Sequence, residues 1–123
     1  MTMTWFKRNP RKHPEKMNVP QIRFVGEQDG SPERELKVKL TEFFHRDASV
    51  KAAYLAQVAY NESSPVSVAL CLRTQFGPDP GLAEKVGRIF ASMFGGHEHL
   101  DIVFLSDLQE AELAQKCSRF FGQ

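Results

Sequence analysis

The sequence predicts an α+β fold, a ferredoxin-like or related antiparallel-sheet sandwich, with its elements in the order β-α-β-β-α-β-α. Two strand-length apolar segments, residues 50–60 and 66–73, flank a polar break at residues 61–65, which is typical of a β-hairpin. A helical pattern precedes the hairpin, and a second helical pattern, another apolar strand and a last helix follow it. The first six elements match the split βαβ pattern. The strand order within the sheet is left open, so another α+β arrangement also fits.

The predicted domain begins with a short strand at residues 21–25, where apolar and polar residues alternate. Ser31 can then cap a first helix, and Pro32 fits its first position because proline lacks the N–H that this position leaves unbonded. One apolar stripe at helical spacing defines the buried face of this helix: Leu36, Leu40, Phe43 and Phe44. In the second hairpin strand, Val66, Val68, Leu70 and Leu72 share one face.

Two further helices and one strand complete the pattern. Asp79 is the predicted cap of the second helix, and its apolar stripe consists of Leu82, Val86, Ile89, Phe90 and Met93. Residues 100–105 are almost continuously apolar, which indicates a central strand. Ser106 with Gln109, or Asp107 with Glu110, forms a capping box for a last helix that we expect to continue through Phe120.

Composition limits the classes of protein to consider. A chain of 123 residues with 41% hydrophobic and 25% charged residues is typical of one globular domain. It has no apolar run long enough to span a membrane and no apolar stretch behind the basic N-terminus, so we expect a cytoplasmic protein without membrane contact. Cys71 and Cys117 lack metal-ligand spacing and are predicted to be small buried hydrophobic residues, although a disulfide between them is left open.

The charge is distributed unevenly along the chain. Residues 1–20 contain five basic residues and one acidic residue, a net charge of +4, whereas residues 21–123 carry −3. The three prolines of residues 1–20 disfavour regular structure, so we divide the chain into an N-terminal arm (1–20) and one domain (21–123). The arm supplies most of the candidate partner-binding residues: Trp5, Phe6, Lys7, Arg8, Arg11 and Lys12.

The segment from Val50 to Phe121 resembles the C-terminal domain of the SseB family of bacterial proteins. The resemblance lies in the alanine-rich strand at residues 51–56, the apolar strand at residues 66–72, a helix that ends in glycines, and the strand at residues 100–105. The closing pair Phe120-Phe121 corresponds to the proline-aromatic ending of the family, although the proline is missing here. The first domain of the family is also missing. The resemblance implies neither an enzymatic activity nor a cofactor.

Three groups of residues could carry chemistry. His97 and His99 lie two residues apart and, in an extended segment, could bind one metal ion, but third and fourth ligands are not evident. Cys71 lies between two leucines without a base, so a nucleophilic role is not indicated. Tyr54 and Tyr60 share a strand face and are candidate partner contacts. Neither a catalytic residue nor a small-molecule substrate is indicated.

We therefore predict a non-catalytic bacterial protein that serves as a protein-interaction or assembly module. A sheet face left open at Ala53, Leu55 and Ala59, or at Tyr54, Val58 and Tyr60, would expose enough apolar surface to favour a homodimer. The alternative is binding of nucleic acid or another acidic partner through the basic arm, although nucleic acid is the less favoured partner because residues 21–123 are net negative. A third, weaker alternative is a metal-dependent enzyme at His97 and His99.

Overall fold

A computed structural model describes residues 22–60, 65–95 and 98–122, and these residues form a mixed β-sheet with helices on both faces. The α+β class is therefore confirmed. The strands are β1 (Arg23–Glu27), β2 (Val50–Ala59), β3 (Ser67–Thr74), β4 (Asp101–Phe104) and β5 (Phe121–Gly122). The helices are α1 (Ser31–Arg46), α2 (Pro80–Phe94) and α3 (Asp107–Leu113). No helix in these described ranges is long and apolar enough to cross a membrane.

The strand order differs from the predicted arrangement. The sheet runs β1-β2-β3-β4, and β5 pairs with β2 beyond the end of β1. The β2–β3 hairpin is antiparallel, as predicted, but β3 and β4 are parallel neighbours joined through α2. A split βαβ unit would place another strand between them, so the ferredoxin-like order is not confirmed and the sheet is mixed rather than antiparallel. Among the described strands β4 lies at an edge, so its predicted central position is wrong.

Helices α1 and α2 cover one face of the sheet, which we call the two-helix face. The residue before α2, Asp79, accepts a hydrogen bond from the backbone N–H of Leu82, as the sequence predicted, whereas α1 begins at Ser31 with Gly30 as its cap. Large aliphatic and aromatic side chains from both helices and the central strands form one core there. Its fully buried members include Leu36, Leu40, Phe44, Leu55, Leu70, Leu72 and Val86.

Helix α3 and the segment that follows it cover the opposite face, which we call the one-helix face. Its core combines small residues of the sheet with a few larger ones: Phe24, Ala52, Tyr54, Ala56, Val58, Ala69, Cys71, Leu105, Leu113 and Cys117. The predicted capping box is present, because Ser106 and Gln109 each bond the backbone N–H of the other. The helix ends at Leu113, however, and does not continue to Phe120.

The end of the chain explains why α3 is short. Phe121 and Gly122 form β5 against Ala52 and Ala53, and the ring centroid of Phe121 lies 5.4 Å from that of Phe44 on the two-helix face. A longer helix would keep this segment on the one-helix face. Gly122 has φ of 121°, and a Cβ atom there would lie 2.5 Å from the carbonyl oxygen of Lys51. Glycine is therefore required where the chain closes against β2.

Candidate interaction surface

Tyr54 is buried beneath α3. Only 3% of its surface is exposed, and its hydroxyl donates a 2.7 Å hydrogen bond to Glu110. Burial, and then the Glu110 carboxylate, raise the pKa of Tyr54 to about 12, so the phenol stays protonated as the donor. A partner could reach this side chain only if α3 moved away from the sheet.

The expectation of an open sheet face on β2 is wrong. Ala53, Leu55 and Ala59 on one side, and Val58 on the other, are fully buried within the chain itself. Ala53 and Leu55 belong to the core beneath α1 and α2, and the one-helix core includes Val58. The sheet therefore offers no open apolar surface for a homodimer at these positions, and a homodimer by another surface stays a prediction.

A cluster of polar contacts attaches α3 to the sheet. Arg73, at the end of β3, donates to the backbone carbonyl of Leu105 at 3.1 Å and pairs with Asp107 and with Glu110. Glu110 in turn accepts from Tyr54. These groups are partly removed from water, which costs free energy. The hydrogen bonds and ion pairs that they form with one another offset that cost. The cluster holds the first turn of α3 beside the ends of β3 and β4.

Tyr60 and His99 meet at Asp101, at the other end of the sheet. Asp101 is only 8% exposed. The Tyr60 hydroxyl donates to one of its carboxylate oxygens at 2.8 Å, and the His99 Nε2 contacts the other. Burial and the nearby Asp101 carboxylate raise the pKa of Tyr60, which keeps its hydroxyl a donor. Both carboxylate oxygens thus serve to hold side chains of the same domain in place.

The described residues do not assemble a metal site at the position of the weaker alternative, His97 and His99. His99 contacts Asp101, but no group of three or more His, Cys, Asp or Glu side chains converges on one point within the described ranges. His97 lies outside those ranges, so its part in the prediction stays untested. A pair of ligands is too few for a structural zinc centre, which needs four.

Both cysteines are free and buried on the one-helix face. Burial raises the pKa of Cys71, and burial raises that of Cys117 to about 12. A thiol in this state is a poor nucleophile because the reactive species is the thiolate. The arrangement agrees with the sequence-based interpretation of Cys71 and Cys117 as small hydrophobic residues.

The two most exposed large apolar side chains of the described residues lie at the same end of the sheet. Phe76 follows β3 and is 86% exposed, and Leu108 begins α3 after β4 and is 80% exposed. Because β3 and β4 are parallel neighbours, the chain leaves both strands at the same end of the sheet, and Phe76 and Leu108 follow those exits. Large exposed aromatic and aliphatic groups of this kind are typical of contact sites.

These side chains stand on ordered backbone. The loop that carries Phe76 is fixed by a 2.8 Å bond from the Gln75 N–H to the Ser49 carbonyl and by a contact of the Thr74 hydroxyl with the Gly77 carbonyl. Gly77 has φ of 89°, a conformation that favours glycine. Exposure of Phe76 therefore results from the shape of the loop.

Two exposed acidic residues of α3, Asp107 and Glu112, lie near Leu108. Helix α3 contains Asp107, Glu110 and Glu112 and no basic residue. Leu108, Ala111 and Glu112 are exposed and, three and four residues apart, lie on one side of the helix. We call the exposed group Phe76, Asp107, Leu108, Ala111 and Glu112 the end surface; it combines apolar contact area with negative charge.

The predicted partner-binding residues of the arm, namely Trp5, Phe6, Lys7, Arg8, Arg11 and Lys12, lie outside the described residues. Protein or nucleic-acid binding through the arm therefore stays a prediction. Sequence reasoning missed Phe76 and Leu108. Two signals could have indicated them. Phe76 is a large aromatic residue next to a Gly-Pro turn. Leu108 lies five positions before Leu113, a spacing that places the two side chains on different faces of a helix.

Comparison with known proteins tests the predicted relationship. Residues 27–120 match the family model described as the SseB protein C-terminal domain. Comparisons with curated proteins and with solved structures gave no match. The matched range begins at the end of β1 and includes α1, β2, β3, α2, β4 and α3, so it extends beyond the segment from Val50 on which the resemblance was based. Because this range covers most of the chain, the protein belongs to the SseB C-terminal domain family.

Proposed function

We propose that this domain is a protein-interaction module that binds another polypeptide through the end surface. The observation that carries the proposal is the placement of Phe76 and Leu108, both almost fully exposed, at the same end of the sheet on ordered elements. Burying such side chains against a partner contributes about 1.5–3 kcal/mol each. Aromatic residues are also frequent among those that dominate binding energies.

The charge of the end surface selects the partner. Asp107 and Glu112 adjoin the apolar side chains; Arg73 of β3 pairs with Asp107, but α3 itself has no basic residue and no ion pair among the described residues includes Glu112. The complementary partner is a polypeptide segment with a large apolar side chain next to lysine or arginine. A nucleic acid or other anionic surface would be repelled here.

A non-catalytic role is supported by the state of the polar groups. Asp101 has both oxygens engaged by Tyr60 and His99, and Glu110 is engaged by Tyr54 and Arg73. Cys71 is buried with a raised pKa. These groups hold elements of the domain together, and their bonds are already used within the chain.

Site-specific photo-cross-linking in the source cells tests the proposal. We would place a benzophenone amino acid at position 76, and in a matched chain at position 38, where Val38 is 60% exposed on α1, the helix on the opposite face of the sheet from α3. We expect position 76, and not position 38, to capture one defined polypeptide. Mass spectrometry identifies it as another protein or as a second copy of this chain, the latter being the predicted homodimer.

Binding of the identified, purified polypeptide then provides the quantitative measurement. We expect Leu108→Ser to weaken its Kd about tenfold or more, because at least half of a buried leucine's contribution is lost. Val38→Ser should leave Kd unchanged. Equal capture from positions 76 and 38, or an unchanged Kd for Leu108→Ser, contradicts the proposal.

A further inference from the structure

We infer that the N-terminal arm of the same chain occupies the end surface in the free protein, with Trp5-Phe6 on the apolar side chains and the basic residues opposite the acidic ones. The inference rests on the proposed function, because it names an occupant for that surface. The arm has the required chemistry: two adjacent aromatic residues followed directly by Lys7 and Arg8, within a segment of net charge +4.

Among the described helices, α3 is the one that carries acidic side chains without a basic one. On the β1–α1 side, Glu27 and Asp29 are already paired with Lys37, and Asp29 also with Arg34. On α2, Glu84 is paired with Arg88. The helix α3, by contrast, carries three acidic residues and no basic one, and Arg73 bonds only Asp107 and Glu110 of these three in the described structure. Glu112 and the exposed side of Asp107 are available to the arm.

The arm is long enough to reach. The described chain begins at Ile22, next to Arg23, which pairs with Ala59 at the end of β2. The end surface lies at the opposite end of the sheet, where Val50 pairs with Thr74. The ten residues of β2 separate the two ends by about 33 Å. The sixteen residues between Trp5 and Ile22 can extend over about 55 Å, so the geometry permits contact.

The tether favours contact within one chain over contact between chains. A random-coil tether of sixteen residues has a root-mean-square span of about 22 Å. Such a tether holds its end at an effective concentration on the order of millimolar. At micromolar protein, the chain's own arm therefore occupies the end surface before the arm of a second copy can. An external partner must then displace the arm.

Fluorescence of the full-length protein tests the inference, since Trp5 is the only tryptophan. We expect blue-shifted Trp5 emission that is protected from acrylamide and independent of protein concentration. Leu108→Ser should shift the docking equilibrium about tenfold toward the free arm, which gives red-shifted, quenchable emission. Glu112→Lys should shift it about twofold to fivefold in the same direction, as expected for loss of an exposed ion pair. The matched variants Val38→Ser and Glu42→Lys change exposed residues of α1 in the same chemical way and should leave emission unchanged. Circular dichroism confirms that all four variants are folded.

Three results would overturn the inference. Red-shifted, fully quenchable Trp5 in the unaltered protein means that the arm is free. If Trp5 is protected from acrylamide and neither Leu108→Ser nor Glu112→Lys changes that protection, the arm docks elsewhere. Protection that increases between 1 and 100 µM protein, an interval chosen below the millimolar effective concentration of the tether, means that the arm docks on a second copy. None of these results affects capture of another polypeptide from position 76, so the two proposals fail separately.

Discussion

The two faces of the sheet are built by different means. On the two-helix face, large side chains such as Leu36, Leu70 and Phe44 are fully buried beneath helices of sixteen and fifteen residues. On the one-helix face, the sheet presents small residues such as Ala56 and Ala69 to a helix of seven residues. Apolar burial stabilises the first layer, whereas the second depends in addition on directional polar contacts.

This difference separates stability from recognition. Buried apolar area is the main source of folding free energy, and most of the large aliphatic side chains lie on the two-helix face. The one-helix face places α3, and α3 carries most of the end surface. Arg73 and Tyr54 fix where that helix lies. Changes on the first face should therefore unfold the domain, and changes on the second should mainly release α3.

The largest effect is expected at the centre of the two-helix face. Leu70→Ala removes a side chain that is fully buried between β3 and the helices. We expect a loss of about 2–5 kcal/mol in the free energy of unfolding, because transfer energy is lost and a cavity is left. Urea unfolding followed by circular dichroism measures it.

Glu84→Ala is the control for Leu70→Ala. Glu84 lies on the exposed side of α2 and pairs only with exposed Arg88 among the described residues. Its replacement should change the free energy of unfolding by no more than about 0.5 kcal/mol. If the two variants lose similar stability, the helix faces are assigned incorrectly and the comparison of the two layers does not hold.

A smaller loss is expected when α3 is detached from the sheet. Arg73→Met keeps much of the apolar stem but leaves the partly buried Glu110 without its cation. We expect a loss of about 2 kcal/mol, because a charged group loses its hydrogen-bonded partner. Amide hydrogen exchange should increase in residues 107–113 and remain unchanged in α1. Uniform acceleration over the whole domain would show that the two faces unfold as one unit.

Tyr54 gives the one-helix face a dependence on alkaline pH. The pKa of Tyr54 is raised from 10.0 to about 12, so the native state holds its proton more tightly than the unfolded state does. The associated stability is complete below pH 10 and is lost as the pH rises through about 12. Tyr54→Phe should flatten this part of the stability profile and should cost about 1–2 kcal/mol at pH 7 through the lost bond to Glu110. The raised pKa values of Tyr60 and the two cysteines also make stability fall at alkaline pH. If the stability profile of Tyr54→Phe is unchanged, the loss of stability at alkaline pH comes from those groups and not from Tyr54.

Sequence reasoning succeeded where local patterns determine structure. The hairpin, the helical stripes, the Asp79 cap and the Ser106–Gln109 capping box depend on residues close together in the chain. The position of β4 and the existence of β5 depend on distant partners. The apolar run at residues 100–105 fits a central strand as well as an edge strand that is covered on both sides. A two-residue strand such as β5 has no periodicity to detect.

The candidate site was less predictable than the fold, for a related reason. Tyr54 is suited to a partner contact by residue type, but α3 buries it. The position of α3 depends on the ion pairs of Arg73, and Asp107, one of its partners, lies thirty-four residues further along the chain. Phe76 and Leu108 are thirty-two residues apart in sequence and share one end of the sheet only because β3 and β4 are parallel. No pattern along the chain contains that information.

The smallest effects, at the two helix caps, test whether the layers differ in local stability. Asp79 caps α2 on the two-helix face, and Ser106 caps α3 on the one-helix face, each by accepting a 3.1 Å bond from a backbone N–H. Asp79→Ala and Ser106→Ala should each lower the free energy of unfolding by about 0.5–1 kcal/mol. Only Ser106→Ala should also speed alkylation of Cys117, which lies four residues after α3, because a seven-residue helix without its cap opens without global unfolding. Mapping alkylated Cys117 and Cys71 by mass spectrometry separates the two cases. Equal acceleration of both cysteines in both variants would mean that the layers share one stability, and the end surface would then be as rigid as the core.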